Sequence, residues 1–92
     1  MRTKKKEEEF VKAHESRFNA ALAKATMSVR QDARFVGLNK IREPLAYRAA
    51  LKATGYPDAD AFAVPKEAGE PNVGVQEACD QAFEAAVEAA RS

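Results

Sequence analysis

The chain has 92 residues and a formal net charge of +1, which allows one domain and excludes the strongly charged class of disordered chains. A single cysteine (Cys79) and a single histidine (His14) exclude a disulfide framework and a Cys- or His-based metal centre. Hydrophobic residues make up 46% of the chain, but 20 of them are Ala, and Leu, Ile, Val and Phe together number only 17.

An alanine-heavy core gains little per position, since a methyl-sized group contributes about 0.8 kcal/mol when buried. Modest stability is expected for the isolated chain, with a gain from a partner or a second copy. No apolar run approaches the length of a membrane span. The basic start, Met1 to Lys6, is followed by Glu7-Glu8-Glu9 and not by an apolar stretch, so it does not read as a secretory leader. These features lead to the expectation of a cytoplasmic protein.

From Lys4 to Val36 no Pro or Gly interrupts the chain. Apolar residues recur at Val11, Phe18, Leu22, Ala25, Val29, Ala33 and Val36, in steps of three, four or seven. This spacing predicts one long amphipathic helix, residues 1–9 fraying at its start. His14 falls at the edge of the apolar stripe and reads as a core-edge residue. Met27, Phe10 and Phe35 fall off the stripe, which predicts partial exposure or contact with a second element. Gly37 ends or bends the helix, and Asn39 offers a new cap.

Pro44 suits a first helical turn, so a short middle helix is expected from about Pro44 to Thr54, with Gly55 just past its end. Residues 55–74 hold three Pro and three Gly and read as a long loop, pinned to the core by Phe62, Val64 and Tyr56. The last segment is the most regular. Val75, Ala78, Cys79, Ala82, Phe83, Ala86, Val87 and Ala90 alternate steps of three and one, the mark of an amphipathic helix. Its alanine flank predicts tight antiparallel packing on the first helix. The expected fold is therefore all-α, a small bundle of three to four helices forming a single domain over residues 1–92.

Charge is unevenly distributed. Residues 1–56 carry 13 basic and 6 acidic side chains, a net of +7, whereas residues 57–92 carry 2 basic and 8 acidic, a net of −6. Arg30, Arg34, Lys40, Arg42, Arg48 and Lys52 crowd one stretch, opposed only by Asp32 and Glu43. Arg30 and Arg34 are one helical turn apart, as are Arg48 and Lys52, and Tyr47 lies between the basic positions. On the last helix Glu77, Asp80, Glu84 and Glu88 line a face opposite the apolar stripe, expected to be a solvated outer surface.

No nucleophile, base and orienter occur together, and the glycines form no phosphate-cradling loop. Catalysis, a cofactor, a metal and a small-molecule substrate are not expected. The reading from sequence is a small non-catalytic binding protein. Arg30, Arg34, Lys40, Arg42, Tyr47, Arg48 and Lys52 would engage nucleic acid or a ribonucleoprotein, with guanidinium forks on phosphate oxygens and Tyr47 stacked on a base. The alternative is a protein–protein adaptor or small inhibitor of a host protein, of the kind found in mobile elements, acting through apolar surface and the long loop, with self-association as a homodimer.

Overall fold

The computed structural model describes residues 4–64 and 73–92. The bundle is all-helical: α1 (Lys4–Ala13), α2 (Glu15–Arg30), a 3₁₀ turn (Ala33–Phe35), α3 (Asn39–Thr54) and α4 (Val73–Arg91). α2 and α4 both pack along α3 and against each other. Arg34 reaches Gln81 while Lys24 reaches the carbonyl of Ser92, so α4 runs antiparallel to α2, as expected.

The long first helix is divided in two places. At His14 the backbone leaves helical geometry (φ −123°, ψ 36°), and α1 meets α2 at an angle. Neither Gly nor Pro marks this break; aromatic packing accounts for it. Phe10 lies 4.4 Å from the His14 ring and 5.1 Å from Tyr56, so the bend brings α1 onto the far end of α3. α2 then ends at Arg30, six residues before the predicted stop. Asp32 caps the 3₁₀ turn by accepting from the Arg34 amide at 3.0 Å. That turn rotates Phe35 inward, where it is only 2% exposed and packs against other elements, the second of the two alternatives expected for it. Met27 is 63% exposed, and Phe10 is half-buried. Residues Lys4 to Glu9, expected to fray, form the first turns of α1.

α3 begins at Asn39, about a turn before Pro44, and Leu38 holds the cap position. The Leu38 carbonyl accepts from both Ile41 and Arg42, and the Asn39 side chain accepts from Arg42, so the extra turn has its own hydrogen bonds. Ile41, Leu45, Ala46, Ala49, Ala50 and Leu51 are all buried although they point around much of the helix circumference. A helix that is apolar on several sides is an interior helix. α3 is thus the central element of the bundle.

Gly55 ends α3 as predicted. At φ +112° it donates to Lys52, while Tyr56 donates to Leu51 at 2.9 Å, the Schellman arrangement that favours glycine at this position. Tyr56, Ala59 and Phe62 are buried and pin the following segment to the core; Val64 is half-buried. Most of the remaining loop, 65–72, lies outside the described residues. Phe62 joins Phe35, Val29, Leu45, Cys79 and Phe83 in one buried cluster, and Phe18, Leu51 and Tyr56 form a second at the other end.

Phe35→Ala is expected to cost about 3–5 kcal/mol, the range for truncating a buried phenylalanine. Met27→Ala, on an exposed side chain, should shift stability by less than about 0.5 kcal/mol. Urea titrations followed by circular dichroism test the contrast.

Candidate anion-binding groove between α2 and α3

The seven residues singled out from sequence do not form one surface. Three of the cations hold the fold together. Arg34 grips Asp32 with two nitrogens, at 2.9 and 2.7 Å, and donates a third bond to Gln81 on α4 at 2.8 Å. It ties the 3₁₀ turn to α4 and leaves little of its donor set for a ligand. Arg48 donates to the carbonyls of Ala61 (2.7 Å) and Asp58 (2.5 Å), and Glu7 of α1 lies 3.7 Å from it. It satisfies loop carbonyls that have no strand or helix partner. Lys52 lies on the α4 side of α3, with its ammonium 5.7 Å from the Phe83 ring centroid, beside Glu84 and Glu88. Of the residues expected over 30–52, these three therefore lie away from the groove that Arg30 and Arg42 line.

What the fold does bring together is smaller. Between the C-terminal half of α2 and the N-terminal half of α3 runs a groove of about 350 Å³. Leu22, Val29 and Ala46 contribute apolar floor, and Thr26, Asn39 and Glu43 polar wall. Arg30 lines it from α2 and Arg42 from α3, with Tyr47 further along. Antiparallel packing produces this juxtaposition, because it sets the end of α2 beside the start of α3. Among the described residues, neither Arg30 nor Arg42 forms an ion pair within 4 Å. Lys40 is exposed in the same first turn of α3 and does not line the groove. The local balance is three cations against Glu43.

Tyr47 is half-buried, with its ring 5.3 Å from Phe18 in an edge-to-face arrangement. Burial, followed by the nearby charges of Glu7 and Glu8, raises its phenol above the ordinary value, so the ring stays neutral. It also borders a depression beside α1 lined by Lys5, Lys12, Glu8, Glu9 and Glu15, and another lined by Glu43, Arg48 and Phe62.

Other chemistry is sparse. Burial and then Asp80 raise the Cys79 thiol above its usual range, against a weaker opposite pull from Arg34, which disfavours the nucleophilic thiolate. Among the described residues no group of three His, Cys, Asp or Glu could hold a metal ion, and no helix is long and apolar enough to cross a membrane. Glu77, Asp80, Glu84 and Glu88 are exposed along the outer face of α4. No local pattern marks the structural role of Arg48, nor that of Gln76, which donates to the Phe62 carbonyl at 2.9 Å and so holds the loop. Asp32 could have been found, since a cap two residues before Arg34 is a local pattern. Comparison with protein-family models, with curated proteins and with solved structures finds no match.

Hydrogen bonding from Arg34 holds the Asp32 carboxyl below its ordinary value despite some desolvation. A depressed carboxylate stabilises the fold above its unfolded pKa, and that contribution is lost as pH falls through the folded one. Asp32→Asn should therefore lower stability at neutral pH and flatten its decline below about pH 4. Denaturation midpoints measured across that range check this. Arg48→Ala should speed amide exchange over residues 56–64 and leave α2 and α4 protected. Arg48→Lys should not restore protection, because an ammonium cannot fork to both carbonyls.

Proposed function

We propose that the protein is a non-catalytic binding module that engages nucleic acid, alone or within a ribonucleoprotein, through the α2–α3 groove. The observation that carries this reading is the pair Arg30 and Arg42, which line one groove from two helices without a carboxylate paired to either among the described residues. Guanidinium groups suit phosphate oxygens in geometry and charge. Lys40 adds a third cation in the adjoining turn. Arg34, Arg48 and Lys52 are not part of this surface, so the contact with the backbone is short. Binding is weak and falls with salt because each phosphate neutralised releases counterions.

The exposed side chains Met27, Val36 and Leu38 favour a second reading, a protein partner or another copy of this chain. That reading predicts a melting temperature that rises with protein concentration, or rises on adding the partner.

Arg30→Ala, Lys40→Ala and Arg42→Ala together should abolish retention on nucleic acid. For the parent protein, a log–log plot of affinity against salt should have a slope of about −2 to −3, the release expected from three phosphates. Arg34→Ala and Arg48→Ala should lower stability and leave that slope unchanged. Retention by the triple variant equal to the parent's would remove the proposal.

A further inference from the structure

Resting on the nucleic-acid reading above, we infer that the α2–α3 groove takes an unpaired nucleotide of a single strand, with its base on Tyr47 and the apolar floor and its phosphates on Arg30 and Arg42. The shape of the site is the first argument. Recognition of a duplex places a protein element inside a groove of the nucleic acid. Here the concavity belongs to the protein, and its 350 Å³ falls at the lower end of the range for small-ligand sites, about 300–1,000 Å³.

The lining is the second argument. Leu22, Val29 and Ala46 offer nothing to a phosphate or a sugar hydroxyl. A free base has two apolar faces, which pairing and stacking hide in a duplex. An apolar floor beside two guanidiniums matches a ligand that is flat and apolar at one end and anionic at the other. Tyr47 supplies an aromatic ring of the kind on which unpaired bases stack.

The third argument is the fate of the other cations. A duplex backbone needs a run of basic groups over an open surface. Arg34 and Arg48 are fastened to Asp32, Gln81 and the loop carbonyls, and Lys52 is on the α4 side of α3. The track ends where the groove ends.

Fluorescence anisotropy at low salt tests this with three probes of equal length: labelled oligothymidine, its duplex with oligoadenine, and an abasic strand. The single strand should bind about tenfold more tightly than either of the others, the order that one stacked base supplies. Thr26→Trp fills the groove from an accessible helix position and leaves the cations in place. It should bring the single strand down to the affinity of the abasic strand. Tyr47→Phe, which keeps the ring, should retain the preference. Equal affinity for all three probes, lost in the Arg30, Lys40 and Arg42 triple alanine variant, would overturn the single-strand inference and leave the nucleic-acid reading intact. Binding of none of them, including when an acidic peptide binds instead, would overturn both.

Discussion

The structure depends on how closely helices can approach α3. Ala46, Ala49 and Ala50 are all but fully buried, as are Ala25 of α2 and Ala86 of α4. Each methyl transfers little apolar area from water, but its small size lets backbones pack closely and fills the interior at native density. α3 is enclosed by α2, α4 and the segment after Gly55, so the short chain gains a core by surrounding one helix. Larger side chains then plug the ends: Phe35, Phe62 and Phe83 at one, Phe18 and Tyr56 at the other.

Close packing of short helices leaves backbone groups to satisfy at every end. The arginines take much of that work. Arg17 donates to the Thr54 carbonyl at the end of α3, at 3.1 Å. Arg34 joins the 3₁₀ turn to α4, and Arg48 holds the segment that covers α3. A guanidinium has five donors on a long apolar stem, so it can span from one element to the carbonyls of another. In a chain with little apolar surface to spare, these ties compete with ligand binding for the same residues. At the α2–α3 junction, Arg30 and Arg42 form no ion pair among the described residues, and Arg42 donates to the Asn39 side chain.

This competition explains how much could be read from the sequence. α4 was legible throughout because its apolar steps are strict and it has a single buried stripe. The end of α3 was legible because Gly55 meets a local backbone requirement. The break at His14 was not, since it serves a distant contact between Phe10 and Tyr56 that leaves the helical period undisturbed. The start of α3 was misplaced because Pro44 resembles a first-turn proline, whereas the turn before it closes on local bonds that Leu38 and Asn39 accept. For the site, residue type and sequence crowding identified Arg30, Lys40, Arg42 and Tyr47. They also gathered in Arg34, Arg48 and Lys52, because helical spacing says which cations share a face and not which have a carbonyl or carboxylate waiting.

The near-zero net charge does not weigh against an anionic ligand. Screening at physiological salt acts over about 8 Å, whereas the bundle measures 35 × 32 × 19 Å. Over distances of that order the exposed acids of α4 are largely invisible to a charge entering the groove, and the field there is set by Arg30, Lys40, Arg42 and Glu43.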